Sequence, residues 1–272
     1  MRSILRSVFL TLMAVLSLLI FTSIITTANQ GQQEQEPSPE DIAKATAAIN
    51  AAVQARGGDA YLHVRTELGT GQLSQFDKGM ATLPVPFSDY IEYPDKERTE
   101  FGKGKEMVLQ ANTGNTGWTF ENASKAIKDQ PEEKTKEFVE GLKYSIDGIL
   151  RGAWREPKVK IYYYPRREAW RLKFGEAVKL VFPDNNIVTV YFDFDTHLPI
   201  LLQREHTVHD SQVKEETRYA QWVERQGIKA PNIIDSYTDG VQISRVNYDN
   251  VVYNQPMAAN LFAKPSSIKG IK

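Results

Sequence analysis

Cysteine is absent from the 272 residues. That excludes disulfides, thiolate nucleophiles, zinc ribbons, iron–sulfur ligation and a lipid-modified N-terminal cysteine together. An excess of one charge sign is also missing, with 33 Lys and Arg against 34 Asp and Glu, so there is no basic footprint for nucleic acid. No Gly-x-Ser-x-Gly elbow occurs, and neither glycine pair, Gly69/Gly71 or Gly102/Gly104, continues into a phosphate-binding pattern. What is present is an ordinary globular composition, 41% hydrophobic and 10% aromatic.

Arg2 and Arg6 precede an apolar run of 18 residues, Val8 to Ile25, that ends in Thr26-Thr27-Ala28. A short basic stretch, an apolar core and small residues at the end read as a secretory signal peptide over residues 1–28, cut after Ala28. The run also reaches the length at which an uncleaved inner-membrane anchor becomes an alternative. Either way the remainder is expected in the periplasm, where a cysteine-free chain must stabilise itself by core burial alone. Residues 29–37, rich in Gln and Glu, are expected to be a disordered spacer, and residues 38–272 a single domain.

Ser38-Pro39-Glu40-Asp41 offers a cap hydroxyl, a first-turn proline and an acid three residues on, and Gly57-Gly58 supplies a stop. A helix is expected from Pro39 to Arg56, burying Ile42, Ala45, Ile49, Ala52 and Val53. From Ala60 the period changes to two, giving strands near 61–74, 87–93, 97–102, 105–111 and 116–120. A second helix is expected over residues 129–152, with Phe138, Val139, Leu142, Ile146, Ile149 and Leu150 at helical spacing. Strands resume near 158–164, 169–174, 177–182, 187–194, 198–206, 213–223, 227–237 and 240–253, with hairpin turns at Asp184-Asn185-Asn186 and Asp239-Gly240.

Val188, Val190, Phe192 and Phe194 alternate with Thr189, Tyr191 and Asp193, and Trp170, Leu172 and Phe174 with Arg171 and Lys173. One buried and one wet face, with short loops, mean an antiparallel meander rather than a parallel sheet. So many strands must curl. A shift of apolar parity from Val241 and Ile243 to Val246 and Tyr248 places a bulge near Ser244-Arg245. The expected fold is mainly β, a curled, unclosed antiparallel barrel of about 11–13 strands covered by two helices.

Candidate chemistry is sparse. His206 and His209 flank a strand end beside Asp210, but residues three apart on a strand face opposite ways, which argues for a solvated turn over a metal site. Asp193 and Asp195 share a strand face in the manner of paired acids, but they border Thr196-His197, where Asp serves as a turn residue. Without an oriented triad the chain reads as a non-enzyme with no cofactor and no metal; a hydrolase built on these residues is the weakest alternative. Aromatic side chains on the strands could line a cavity, with plain core as the competing assignment. Those singled out are Tyr90, Phe101, Trp118, Trp170 and Phe192. The helix face Phe138, Leu142, Ile146 and Leu150 is a candidate lid, and Gly141 weakens that helix.

The residues also carry a resemblance. The order runs from the signal peptide to a helix ending Gly-Gly, then strands, Pro94-Asp95-Lys96-Glu97-Arg98 and Gly114-Asn115-Thr116-Gly117-Trp118. A helix, a long meander and the stretch from Val190 to Pro199 follow, and the end is Asn254-Gln255-Pro256-Met257 with Leu261 to Pro265. This series is similar to the LolA-like superfamily of periplasmic lipoprotein carriers and their relatives. The resemblance implies an unclosed β-barrel, a helical lid over its mouth and a cavity that accepts acyl chains. It further implies a monomeric binder or carrier of a lipid or an acylated lipoprotein, in outer-membrane lipoprotein sorting, with an inner- or outer-membrane partner protein. The alternative is an envelope sensor or scaffold of the same fold that reads a partner protein.

Overall fold

The computed structural model describes residues 36–271, and the expected signal peptide and most of the spacer lie outside the described residues. Thirteen strands run in one antiparallel path with the order β7-β6-β5-β4-β3-β1-β14-β13-β12-β11-β10-β9-β8. The first meander comprises β1 (Thr66–Asp77), β3 (Val85–Glu92), β4 (Lys96–Phe101), β5 (Val108–Thr113), β6 (Thr116–Glu121) and β7 (Ala126–Asp129), and the two-residue β2 (Met80–Ala81) pairs β1 off the path. The second comprises β8 (Lys160–Trp170), β9 (Lys173–Val181), β10 (Ile187–Phe192), β11 (Pro199–Val208), β12 (Ser211–Arg225), β13 (Ile228–Thr238) and β14 (Val241–Tyr253). The seam β1–β14 joins them, while β7 and β8 remain as edges, so the sheet curls without closing.

Helix α1 (Pro39–Arg56) starts as its sequence dictates. The Asp41 amide donates to Ser38 Oγ at 3.1 Å, and the Ser38 amide donates back to Asp41 Oδ2 at 3.3 Å. Its Ala45, Ala48, Ile49, Ala52 and Val53 face packs on β8, β9 and β13. Ile42, expected on that face, is exposed, and Ala48 takes its place. The expected strand start at Tyr61 is instead a turn of helix, α2 (Asp59–Leu62), which buries the Tyr61 ring.

The single helix expected over residues 129–152 is two. Residues 126–129 pair with β6, and α3 (Glu132–Tyr144) stops at Ser145, whose backbone is extended (φ −70°, ψ 164°). The Ser145 hydroxyl then accepts from the Gly148 amide at 2.9 Å and starts α4 (Ile146–Arg151). Residue 148 must be glycine, because a Cβ there would lie 2.2 Å from the Leu142 carbonyl oxygen. The break separates the apolar series. Ile146, Ile149 and Leu150 enter the main core, and Phe138, Val139 and Leu142 stay half-buried above the sheet.

That core fills the inner face of the second meander, joining α1 and α4 to Val178, Leu180, Val188, Val190, Phe192 and Leu202. The outer face there is not wet as expected. Ala177, Tyr191 and Leu201 form a second cluster beneath Tyr164, Ala169 and Trp170, which two register irregularities in β8 bring across. The segments expected near 158–164, 169–174 and 177–182 are the two strands β8 and β9. They are joined by a turn with positive φ at Arg171 and Leu172, which leaves Leu172 exposed rather than paired in a face. In β14 the residue without a partner is Ile243, one position before the expected bulge, and a second irregularity skips Asp249.

The glycine pair Gly69/Gly71 serves close approach. A Cβ on Gly71 would sit 2.2 Å from the Asn247 carbonyl oxygen across the seam. Gly71→Ala is therefore expected to cost about 1–3 kcal/mol, read as a lowered denaturation midpoint; a variant as stable as the parent would show that the seam yields freely.

Candidate functional site: an amphipathic groove under a helical elbow

On the first meander the inner face is left open by α1, which packs over the second. Here α3 and α4 overhang a groove of about 1020 Å³. The roof is Phe138, Val139, Leu142, Gly148 and Arg151; the wall is Leu62 and Val64; the floor is Ile91, Tyr93 and Glu97 with the turn residues Pro94, Asp95, Gly114 and Asn115. Phe138 also borders a neighbouring hollow over Gln110, Thr119 and Lys128, so the open inner face continues toward the β7 edge.

The sites singled out in the sequence separate into groups. Phe138 and Leu142 line the groove. Ile146, Leu150 and Phe192 are core residues packed between α4 and the second meander. Tyr90 and Trp118 lie on the outer face, because they follow the opposite parity to Ile91 and Gly117. There the chain after β14 crosses Trp118 and Arg98: Trp118 Nε1 donates to the Phe262 carbonyl at 2.9 Å, and Arg98 donates to the Leu261 carbonyl at 2.9 Å. Phe101 is cross-strand from Phe87 on the inner face, at the far end of β4 from the groove. Trp170 packs on the outer cluster.

The polar pairs do not converge. Asp193 Oδ1 accepts from the amides of Asp195 and Thr196 and from the Thr196 hydroxyl, which makes it a turn-forming residue. Asp195 is exposed. His206 lies 3.5 Å from Glu215, while His209 is on the following turn 4.0 Å from Glu133. No grouping of three His, Asp or Glu suited to a metal occurs among the described residues.

Sequence reasoning missed the groove's polar anchor. Arg56, only 4% exposed, donates to Tyr61 Oη (3.0 Å), Asp147 Oδ1 (2.9 Å) and the Lys229 carbonyl (3.3 Å). Tyr61 Oη donates to Asp147 Oδ1 at 2.7 Å, and Arg151 donates to the carbonyls of Tyr61 and Leu62 while stacking over the Tyr61 and Tyr93 rings. Burial alone would push the Asp147 carboxyl up, but Arg56 and Arg151 outweigh it and hold it below the usual carboxylate range. These contacts lock α1, α2, α4 and β13 together. The one sequence signal was a pair of arginines, Arg56 and Arg151, at helix ends followed by glycine.

α3 is attached differently. Arg204 bonds Glu140 at 2.7 Å, Lys143 pairs with Glu156 at 2.7 Å, and Tyr144 Oη donates to Asp184, all near the helix's C-terminal half. Only Thr135 and Tyr144 of its 13 residues are buried.

The inner face of β1, β3 and β4 beside the groove is acidic, and of Glu67, Asp89 and Glu97 only Glu97 lines the groove itself. Glu67, cross-strand from Ile91, is pushed up to about 7 by burial and then by the Asp147 charge, against the opposing effects of Arg56, Tyr93 and Arg151. Burial also raises Asp89 well above the usual range, with the Glu97 charge adding to it, and raises Glu97 itself. Because the folded chain holds the Glu67 proton more tightly than the unfolded chain, the stability it contributes is full below about pH 4.5 and is lost as pH rises through 7. Glu67→Gln is therefore expected to leave stability nearly unchanged at pH 4.5. At pH 8.5 it should raise stability by about 2–3 kcal/mol. Urea unfolding of both proteins at the two pH values checks this, and a pH-independent difference would contradict it.

No described protein family matches the chain's sequence, and no curated protein matches it either. Solved structures do share its architecture. A domain from Vibrio parahaemolyticus, provisionally described as an outer membrane lipoprotein-sorting protein, superposes with a TM-score of 0.53 at 11% identity, over 81% of this chain and 97% of that one. A DUF1329 family protein from Desulfovibrio piger gives 0.54 at 12% identity, over 80% and 96%, and a LolA superfamily protein from Nitrosomonas europaea gives 0.53 at 10% identity, over 81% and 97%. The chain thus has the LolA-like fold, an open curled antiparallel sheet with helices on its inner face. Identity this low establishes the fold and leaves the ligand to the site itself. Among the described residues no helix is long and apolar enough to cross a membrane.

Proposed function

We propose that the chain is a periplasmic binder or carrier of a hydrophobic ligand, a lipid or the acyl part of a lipoprotein, held between the α3–α4 elbow and the tips of β3–β6. The observation that carries this reading is the groove of about 1020 Å³ roofed by Phe138, Val139 and Leu142. It stands at the upper end of the about 300–1,000 Å³ typical of small-molecule sites. Apolar burial supplies the affinity, at about 0.8 kcal/mol per methylene, so one long acyl chain suffices even after the helix has been displaced. The shallow seating of α3 beside the locked α4 fits a roof that moves on a fixed hinge at Ser145. The LolA-like fold and the lipoprotein-sorting description of one structural neighbour agree with this assignment.

Native mass spectrometry of protein purified from its own compartment, followed by organic extraction, tests it. A stoichiometric long-chain molecule is the expected result. A protein that arrives empty and takes nothing from lipid vesicles would overturn the reading.

A further inference from the structure

We propose that the hollow beside the groove holds a neutral, polyhydroxylated head group, so that the preferred ligand is a glycoside of a long alkyl or acyl chain; this rests on the hydrophobic-ligand reading and narrows it. The inner faces of the two meanders differ in kind. In the second, Val178, Leu180, Val190 and Phe192 meet the helices apolar against apolar. In the first, one cross-sheet row runs Thr99, Gln110, Thr119, Lys128, each directly opposite the next. The roof above this half is nevertheless apolar, with Phe138, Val139 and Leu142. Two spaces stay unfilled beneath it, the groove of about 1020 Å³ and a hollow of about 540 Å³, and Phe138 borders both. Direct packing of such a roof on such a floor would desolvate the amides and hydroxyls for nothing. An amphiphile that gives its chain to the roof and its hydroxyls to the floor satisfies both surfaces.

A second, independent observation is that the floor of the hollow is preorganised. Asn112, two residues along β5 from Gln110 and 2% exposed, donates its amide to Gln130 Oε1 at 3.1 Å, and its carbonyl oxygen accepts from Gln130 Nε2 at 3.2 Å and Gln110 Nε2 at 3.3 Å. The network closes only because residue 117 is glycine: a Cβ there would lie 2.5 Å from Asn112 Nδ2 and 2.7 Å from Gln130 Cδ. Gln110 is thereby held in place, while its carbonyl oxygen and the Thr119 hydroxyl have no partner among the described residues. The acids at the rim are matched, Asp129 by Lys264 and Glu137 by Lys134, each at 2.7 Å. A phosphate or carboxylate would find the Lys128 ammonium and no guanidinium. Gln110, Thr119 and Lys128 span two strand spacings, about 10 Å, which suits one or two sugar rings. Sugar hydroxyls both donate and accept, as this mixture of amide, hydroxyl and ammonium requires. The chain lies under Phe138 and Leu142, and the head group passes Phe138 into the hollow.

The experiment is titration calorimetry of the full chain at pH 7.5 with decyl maltoside, decanol, decyl sulfate and maltose, each below its aggregation or solubility limit. The maltoside is expected to bind about tenfold more tightly than decanol, the gain of two or three net hydrogen bonds, and maltose too weakly to measure. Gln110→Ala combined with Thr119→Val, in a protein checked by thermal melt, should reduce the preference for maltoside over decanol to within about threefold. Equal binding of maltoside and decanol, tightest binding of the sulfate, or an undiminished preference in the folded variant overturns this inference and leaves the hydrophobic-ligand reading intact. Maltose binding as tightly as the maltoside, or binding of none of the four, overturns both.

Discussion

Leu142→Glu is expected to cut uptake of a long-chain ligand by about tenfold to a hundredfold while the protein stays folded. Leu142 is half-buried in the groove roof beside Phe138, so the substitution removes apolar contact with a bound chain and sets a carboxylate above a floor that already holds Glu97. Losing the burial of one leucine side chain is worth about 1.5–3 kcal/mol, which sets the range. Ile146→Glu, four residues on, should behave differently. Ile146 is packed in the main core against α1 and the second meander, and a charge there is expected to destabilise the whole domain by several kcal/mol, on the order of a core cavity or an unpaired buried charge. Displacement of a fluorescent fatty probe, read beside a melting curve, separates the two. Unchanged uptake by a folded Leu142→Glu protein would show that the groove is not the binding site.

Arg56→Met should have the largest effect on stability, about 3–5 kcal/mol, because it keeps much of the side-chain volume but takes from Asp147 its closest cation, leaving the carboxylate with the Tyr61 hydroxyl. For a domain of this size that is a fall in melting temperature of about 10 °C. Pairing it with Asp147→Asn forms a double-mutant cycle. The second change should cost much less in the Arg56→Met background than alone, and strict additivity would show that the two groups are not coupled. Arg151, 3.9 Å from Asp147, keeps part of the anchor in either single variant.

The second meander was legible in the sequence because its strands are long, alternate cleanly and are punctuated by turns of known chemistry, such as Asp239-Gly240, both with positive φ. β7 was not, since Ala126-Ile127-Lys128-Asp129 is too short to show a period and precedes a helix signal. Ser145 fits a continuous helical pattern, and its role as a restart cap shows only once α3 has stopped. The groove was hidden by an inversion. Glu67, Asp89, Glu97 and Thr99 look like the wet parity of half-buried strands, and Leu109, Trp118 and Phe120 like the core parity. In the fold the polar set faces inward and the apolar set is buried outside, beneath the segment that follows β14. Alternation reports which residues share a face and is silent on which face the rest of the chain will cover.

Sheet order also has a consequence for how the chain reaches this structure. Within each meander neighbouring strands are linked by short connections, so those ladders close small loops. The seam pairs Glu67 with Tyr253, and β14 is the last strand in the sequence. Two half-sheets can therefore form independently, but β1 and β13 stay as raw edges until residues 241–253 are available to join them. Seam formation is the high contact-order step and sets the pace of folding, and a chain that ends before residue 241 presents two unpaired central strands to its neighbours.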